Sequence, residues 1–402
     1  MHYIKICLYL LIQKLMPVKK KRIVFTSFNG HYSDNPKYIS KKICELDKDL
    51  DIVWLVKEEY KDLVPENVKW VDIDNKWHKF WYNATSYIAV DNVYGDRAYY
   101  IREKSFWTQL KFNILSFLKN KKNQHLYTTW HGTPLKRMGK DRITDTIIDF
   151  SCPNTEMVLG NEFTLEVMDR IAFNKITMKL LGTPRNDILF DRRNVLEIKE
   201  KLSLPQDKKI ILFAPTFRDN GIEMGEKNIY RSGINQLKEM DFKDLFDNLS
   251  EKYGGDWAIV CRFHYHVEEM VDWESLQKEY PGQIINGNEH DDMAEYLACT
   301  DVLITDASSS MFDFMLTKRP CFLFFPDLEY YQNEERGFYK PIEELPFPVS
   351  VDFDGLIENI KKFDEETYIK GVENLIEEFG YVDDANSSER VARYILDEMK
   401  KK

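Results

Sequence analysis

The segment Trp130–Lys136 (WHGTPLK) holds the residue types best suited to acid–base chemistry. His131 lies on a predicted turn directly after the strand-like run His125–Trp130. Gly132 lets the backbone turn sharply, and Pro134 restricts the conformation of the residue before it. An imidazole at the end of a strand can contact a ligand and accept a proton near neutral pH. We therefore expect His131 to be catalytic.

Four downstream segments also place cationic or hydroxyl side chains at the ends of predicted strands, where open α/β sheets bind ligands. Their candidate residues are Arg185, Thr216, Arg218, Arg262, His264, Ser308 and Ser309. Arginines can bind phosphate through two hydrogen bonds, although a single arginine is more often part of a surface ion pair. Serines at a helix start favour phosphate binding, with an ordinary serine cap as the alternative.

Metal and dinucleotide sites are disfavoured. Arg262, His264 and His266 alternate along a predicted strand, so the three side chains are expected on one face. Two histidines at this spacing can bind a metal, but the sequence offers no supporting ligand set, so a hydrogen bond to phosphate fits better. The sequence contains neither Gly-x-Gly-x-x-Gly nor a Walker motif. We expect no metal and no cofactor.

Composition restricts the class of protein. The chain has 402 residues, of which 43% are hydrophobic and 31% charged, which is typical of a folded chain with two domains. The net charge of -11 counts against a nucleic-acid partner. Six cysteines without a CxxC pair indicate reduced thiols in a cytosolic protein.

Strands alternate with helices along the chain, which predicts parallel sheets flanked by helices. The predicted strands include Arg22–Phe28, Trp257–Phe263 and Val302–Thr305. The pattern restarts after the charged segment Asp191–Ser203. The predicted fold is α/β, with two Rossmann-like domains facing each other across a cleft. Their predicted boundaries are residues 21–190 and 191–375, followed by a C-terminal helical segment, residues 376–402. Within that segment, Ser387–Lys400 is predicted to be a helix with a serine cap.

Residues 1–20 are predicted to form an interfacial membrane helix, with a helix packed on the domain as the alternative. Met1–Met16 lacks the charge order of a signal peptide and is too short to span a bilayer. The basic cluster Lys19–Arg22 favours anionic lipid. Lys104–Asn120 is predicted to be a second helix, either facing membrane or acceptor or lying solvated over the core.

Taken together and in order, these segments resemble the CDP-glycerol glycerophosphotransferase family. The resemblance begins near Ile23, includes Ser33–Tyr38 (SDNPKY), and ends within Asp327–Tyr339 (DLEYYQNEERGFY). It implies a GT-B-like pair of domains, with the acceptor on the N-terminal half and the CDP-linked donor mostly on the C-terminal half. It also implies peripheral association with the cytoplasmic face of the membrane, because the family's acceptors are lipid-linked.

The resemblance assigns roles to individual residues. His131 matches the proposed general base, and His264 matches a second essential histidine near the donor phosphates. Arg185, Ser308 and Ser309 match positions beside the pyrophosphate, and we add Thr216, Arg218 and Arg262 as donor-binding candidates from their place at strand ends. Two departures border the donor pocket, because Tyr265 stands where the family usually has proline and Ala307 where it often has an aromatic residue.

The expected reaction moves glycerol phosphate, or a related polyol phosphate, from CDP-glycerol to a hydroxyl of a lipid-linked or glycan acceptor, releasing CMP. Such a transferase would act in teichoic acid or capsule-like polymer synthesis at an anionic membrane surface. Three alternatives remain open at this point. They are a CDP-ribitol-dependent transferase, a GT-B glycosyltransferase that uses a sugar nucleotide, and a non-catalytic scaffold of a polymer-export complex.

Overall fold

The chain forms two units in the computed structural model. The first unit comprises Met1–His131, Met138–Asp187 and Phe379–Lys402, and the second comprises Gly132–Arg137 and Ile188–Glu378. The C-terminal segment therefore joins the N-terminal half of the chain, which no sequence pattern indicates. The structure describes residues 2–93, 99–101, 105–141, 149–152, 154–173, 176–216, 233–263, 269–335 and 337–401.

The first unit contains a parallel sheet whose spatial order is β3-β2-β1-β4-β6-β8-β9 within the described residues. Apolar runs form its central strands, as is typical of sheets covered on both faces. A separate antiparallel ribbon pairs β5 with β7. The strands are β1 Lys19–Phe25, β2 Asp51–Val56, β3 Lys69–Asp72, β4 Ser86–Asp91, β5 Tyr99–Ile101, β6 His125–Thr128, β7 Asp149–Ser151, β8 Thr155–Leu159 and β9 Thr177–Leu180.

Helices cover both faces of this sheet. Alternate strand residues such as Phe25 and Trp54 pack with α2 and α15 in one buried cluster, in which the Trp54 indole N–H donates to Ser40 Oγ at 3.0 Å. Helix α1 contacts both α3 and α4, and α3 also contacts strands of the sheet. The helices are α1 His2–Leu15, α2 Asp34–Leu46, α3 Lys76–Thr85, α4 Phe106–Lys119, α5 Glu162–Met168 and, from the C-terminal segment, α15 Ser387–Lys400.

The second unit also contains a parallel sheet, with the described order β12-β11-β10-β13-β14-β15. Its strands are β10 Lys209–Ala214, β11 Trp257–Cys261, β12 Ile284–Asn286, β13 Val302–Thr305, β14 Cys321–Phe324 and β15 Val349–Ser350. Its helices are α6 Val195–Lys201, α7 Ile234–Glu239, α8 Phe242–Tyr253, α9 Trp273–Glu279, α10 Met293–Cys299, α11 Ser310–Phe314, α12 Leu328–Tyr330, α13 Phe353–Lys362 and α14 Glu365–Glu378.

Both sheets follow the Rossmann strand order, in which the third, second and first strands are followed by the fourth and later ones. The order reverses between β1 and β4 in the first unit and between β10 and β13 in the second. Ligands bind beyond the carboxyl ends of the strands at such reversal points. The predicted α/β fold with two Rossmann-like sheets is confirmed. A ligand-binding site is therefore expected at the loops after these strands.

The C-terminal helix begins at the predicted residue, but the predicted serine cap is wrong. Asn386 occupies the N-cap position without a side-chain capping hydrogen bond. The backbone N–H groups of Ser387 and Ser388 instead donate to the Asp187 carboxylate at 2.9 and 2.8 Å. A carboxylate distant in sequence satisfies the exposed N–H groups of this helix and complements its dipole, which a local pattern cannot reveal.

The predicted N-terminal helix is present as α1, and it contacts α4, where the Lys14 ammonium donates to the Phe117 carbonyl at 2.6 Å. The basic cluster is smaller than predicted. Arg22 is only 5% exposed and pairs with Asp51 at 2.6 Å, so Lys19–Lys21 remain on the surface. None of the described helices has the length and apolar character needed to cross a bilayer.

Candidate active site

The His131 turn follows β6 in the first unit, as predicted. The Thr129 N–H donates to the Asp91 carbonyl at 2.9 Å and holds the turn against β4. Trp130 and Gly132 take φ values of +53° and +143°, so the chain reverses sharply around the histidine. Tryptophan rarely adopts positive φ, and strained backbone of this kind is concentrated at functional sites.

One hydrogen bond fixes the tautomer of His131. Its Nδ1 lies 3.1 Å from the Asn92 carbonyl oxygen. Because a carbonyl oxygen only accepts, Nδ1 carries the proton in the neutral ring. Nε2 then keeps its lone pair and can act as a base.

The surroundings of His131 favour its neutral form. Burial lowers its pKa below the ordinary 6.5, and the positive charge of Arg185 lowers it further. The hydrogen bond to Asn92 and the charge of Asp34 raise the pKa, but burial is the largest effect. The imidazole is therefore neutral at physiological pH, as a general base must be.

A buried polar network ties the histidine turn to two other segments. The Asn35 side-chain amide donates to the Trp130 carbonyl at 3.3 Å and accepts from the Arg185 backbone N–H at 3.0 Å. The Arg185 guanidinium pairs with the Asp34 carboxylate at 2.7 Å, and both side chains are buried. In the sequence, Ser33–Tyr38 stands out only as part of the family resemblance, and no pattern there indicates this structural role of Asp34 and Asn35.

Asn92 joins the two strands at the reversal point. Its side chain accepts from the Phe28 N–H and donates to Ser27 Oγ, both at 3.1 Å. The Phe28 and Trp130 rings lie 5.8 and 4.2 Å from the imidazole centroid. Both amide contacts and the carbonyl contact come from one residue, so Asn92 fixes the histidine relative to β1 and β4.

Arg185 belongs to the first unit, as His131 does, whereas the other described donor-binding candidates belong to the second. Its guanidinium forms an ion pair with Asp34, and its positive charge lowers the pKa of His131. These contacts make Arg185 part of the support of the histidine turn. Its donor-binding role stays a prediction.

At the reversal point of the second unit, a buried carboxylate joins the loops that follow two strands. Asp306 is fully buried after β13 and accepts from the Thr216 N–H at 2.8 Å, just beyond β10. Ser308 Oγ lies 2.8 Å from Ser310 Oγ and accepts from the Ser310 N–H at 3.3 Å. The following helix α11 has only five residues, so any phosphate role of Ser308 and Ser309 depends mainly on their hydroxyls and local N–H groups.

The Arg262 side chain forms its hydrogen bonds with a neighbouring loop of the second unit. Strand β11 ends at Cys261, so the predicted strand through Phe263 is too long. The Arg262 guanidinium donates to the carbonyls of Gly287 and Asp291 at 2.6 and 2.8 Å, and to that of His290. It thereby holds the loop before α10, and donor binding by Arg262 stays a prediction.

Several predicted residues cannot be placed. Arg218, His264, Tyr265 and His266 lie outside the described residues. No group of three or more His, Cys, Asp or Glu side chains within the described parts of the chain is arranged to hold a metal ion. The structure thus brings His131 and Arg185 together in the first unit, and it groups Thr216, Ser308 and Ser309 near the reversal point of the second.

Comparison with known proteins supports this assembly of motifs. A family model for CDP-Glycerol:Poly(glycerophosphate) glycerophosphotransferase matches residues 8–397. The teichoic acid poly(glycerol phosphate) polymerase of Staphylococcus epidermidis is 32% identical over 98% of this chain, which spans 53% of that protein. The teichoic acid glycerol-phosphate transferase of Staphylococcus aureus is 30% identical over 94% of this chain and 93% of its own length.

Comparison with solved structures supports the same family. The wall teichoic acid polymerase TagF, as a histidine-to-asparagine variant soaked with CDPG, matches with a TM-score of 0.75 and 30% identity, covering 98% of this chain and 93% of that one. A putative UDP-N-acetylglucosamine 2-epimerase from Listeria monocytogenes, 13% identical with a TM-score of 0.51 over 96% of this chain and 98% of that one, shares the fold alone. The chain spans about half the length of the polymerases of S. epidermidis and Bacillus subtilis, 53% and 49%. With a family model matched over nearly its whole length, the chain belongs to the CDP-glycerol:poly(glycerophosphate) glycerophosphotransferase family.

Proposed function

We propose that this chain is an enzyme that transfers glycerol phosphate from CDP-glycerol to an acceptor hydroxyl and releases CMP, in teichoic acid or capsule-like polymer synthesis. The observation that carries the proposal is the neutral His131, held through Nδ1 by the Asn92 carbonyl at the reversal point of a Rossmann-like sheet. Relatives named as glycerol-phosphate polymerases and transferases supply the reaction class.

In the proposed reaction, the acceptor oxygen attacks the phosphorus atom that bears glycerol. A new P–O bond forms, the bond from that phosphorus to the CMP oxygen breaks, and the hydroxyl proton moves to His131 Nε2. General base catalysis of this kind contributes about 10²–10⁴-fold. CMP leaves as a stable anion, so its departure requires charge stabilisation, which we assign to His264, Arg185, Ser308 and Ser309.

Glycerol is the favoured polyol. Relatives named for glycerol phosphate reach 30–32% identity over 400 residues or more. Relatives named for ribitol phosphate and aligned over a comparable length reach 25–26%. CDP-ribitol is therefore the alternative donor to test beside CDP-glycerol.

We also propose that the acceptor is lipid-linked and that the enzyme binds the cytoplasmic membrane surface peripherally. Three contacting helices of the first unit, α1, α3 and α4, expose large apolar side chains, and exposed Lys19–Lys21 follow α1. Apolar side chains beside lysines are suited to the interface of an anionic bilayer. The exposed apolar residues are Leu8, Tyr9, Leu11, Ile12, Leu15, Trp77, Trp81, Phe106, Trp107, Leu110, Ile114 and Phe117.

The reaction is tested by nucleotide release from the purified protein. CDP-glycerol, CDP-ribitol and common sugar nucleotides are each supplied with a lipid-linked acceptor mimic. We expect CMP from CDP-glycerol. Release of UDP or GDP would assign the chain to the glycosyltransferases, and a folded protein that neither binds nor cleaves any CDP-polyol would support the scaffold alternative.

The membrane surface is tested with the double substitution Phe106→Glu and Trp107→Glu. Burying two such side chains stabilises binding enough that we expect at least about tenfold weaker binding to phosphatidylglycerol vesicles in sedimentation. Leu196→Glu, an exposed apolar position on α6 of the second unit, is the matched control. Equal vesicle binding by the double variant and the control would contradict the assignment of this face.

A further inference from the structure

A cavity of about 310 Å³ lies in the first unit, lined by one face of the sheet and by α1, α3 and α4. Its sheet wall consists of Val24, Leu55, Ala89 and Leu126, which stand on four neighbouring strands. The volume corresponds to roughly ten water molecules and lies at the lower end of the range for ligand pockets. The cavity is large enough for a small headgroup and the first atoms of a chain.

The lining is electropositive in an acidic protein. Four lysines and one aspartate line the cavity, giving a net charge of +3, whereas the whole chain carries -11. These residues are Lys14, Lys79, Lys119, Lys121 and Asp91. Two of the lysines already donate to backbone carbonyls, Lys14 to that of Phe117 and Lys121 to those of Gln13, Met16 and Ala84, so these two act on the cavity mainly through their charge. The net positive charge of the lining favours an anionic ligand.

Residues that line the cavity are close in sequence to two features already described. At one end it is lined by Thr26, Asp91 and Val93, at the carboxyl ends of β1 and β4. Asn92, whose carbonyl holds His131, lies between two of these lining residues. At the other end Tyr9 and Leu118 belong to α1 and α4, the helices whose outer surface is apolar.

We propose that this cavity is an acceptor subsite that binds a phosphate ester carrying an apolar chain. The positive charge of the lysines balances the charge of the phosphate. The apolar sheet wall contacts the first carbons of the chain, which leaves toward the apolar surface of α1 and α4. A free polyol phosphate shares the anionic chemistry but would leave the apolar wall uncovered. The acceptor role rests on the proposed function, whereas the binding of such an ester does not.

The test measures direct binding of decyl phosphate, below its critical micelle concentration, by calorimetry on the full chain. Glycerol 3-phosphate and decanol separate the contributions of phosphate and chain, and we expect each to bind at least about tenfold more weakly. Ala89→Phe, which fills the cavity, should weaken decyl phosphate binding about tenfold or more. Lys79→Met should weaken it about tenfold, and the matched Lys76→Met, on the same helix but outside the lining, should not.

A wild-type protein that binds decyl phosphate no better than glycerol 3-phosphate would overturn the proposal. So would equal binding by Lys79→Met and Lys76→Met, a pair that still decides the matter if Ala89→Phe does not fold. In turnover, Lys79→Met should raise the KM for a lipid-linked acceptor about tenfold without changing the KM for CDP-glycerol. A chain that binds decyl phosphate but releases no CMP from any donor would refute the proposed function while leaving this site intact.

Discussion

The reversal points of the two sheets share a strand order but use their polar side chains differently. In the first unit, Asn35 and Asn92 hold a backbone turn and a histidine, and the strained φ of Trp130 lies within that turn. In the second unit, the buried carboxylate of Asp306 joins the loops after β10 and β13. The same topology thus presents a neutral base in one unit and hydroxyl and N–H groups in the other.

The surfaces of the two units differ as well. Large exposed apolar side chains of the described residues are concentrated on α1, α3 and α4 of the first unit, whereas the second unit shows only scattered ones such as Phe190 and Leu196. Scattered apolar residues are ordinary, but a contiguous group indicates a partner surface. The proposed base and the proposed membrane-facing surface therefore both belong to the first unit.

The largest expected effect is the loss of turnover when the proposed base is removed. We expect His131→Ala to lower kcat by about 10²–10⁴-fold while the fold is retained, because the proton acceptor is lost. His78→Ala, an exposed histidine on α3, is the control and should retain wild-type turnover. Near-normal CMP release by a folded His131→Ala protein would contradict the assigned role.

The next largest effect is expected on the free energy of unfolding, when the buried ion pair of the first unit is removed. Asp34→Asn leaves the buried Arg185 charge without its carboxylate and should lower the free energy of unfolding by about 3–5 kcal/mol. Urea denaturation measures this loss. Asp384→Asn, which removes an exposed partner of Arg390, should cost less than about 1 kcal/mol. Equal small losses in both variants would mean that the Asp34 pair does not support the site.

In the second unit, we expect a substitution at the reversal point to weaken the affinity for the CDP-linked donor. Asp306→Ala leaves the Thr216 N–H without its acceptor, a loss of about 1–3 kcal/mol, and frees the loop after β10. We expect the KM for CDP-glycerol to rise about tenfold, with the acidic limb of the pH profile unchanged. A shift of that limb would show that the two reversal points do not have separate roles.

The smallest effect concerns pH. Burial lowers the pKa of His131, so the proton is lost at lower pH than from an ordinary histidine. As pH falls through this lowered pKa, the base becomes protonated and kcat/KM, which reports the free enzyme, falls. The acidic limb of kcat/KM should therefore have its midpoint below 6.5. A midpoint above that value would contradict the effect of burial.

Much of the fold follows from apolar runs in the sequence. Val302–Thr305 forms a strand with the predicted bounds, because it is buried on both faces. β1 begins at Lys19 rather than at the predicted Arg22, since Lys19 pairs with Ser86 of β4 and the three exposed lysines give no apolar signal. The contribution of the C-terminal helix to the first unit depends on long-range packing, which periodicity does not encode.

The site was predictable in part. His131 follows a strand and a glycine turn, so its position was visible in the sequence. Its hydrogen-bond partner Asn92 lies 39 residues away. Asn35 stands in the Ser33–Tyr38 segment of the family resemblance, but nothing in the sequence indicates its contact with the turn. The sequence shows which residues end strands, but it does not show which of those ends become neighbours.

The most direct test of the central claim is an NMR titration of ¹⁵N-histidine-labelled protein, with His131 assigned by comparison with His131→Ala. The structure predicts a neutral ring protonated at Nδ1, with a pKa below 6.5. A ring protonated at Nε2, or a pKa above 6.5, would contradict the assignment of Nε2 as the base.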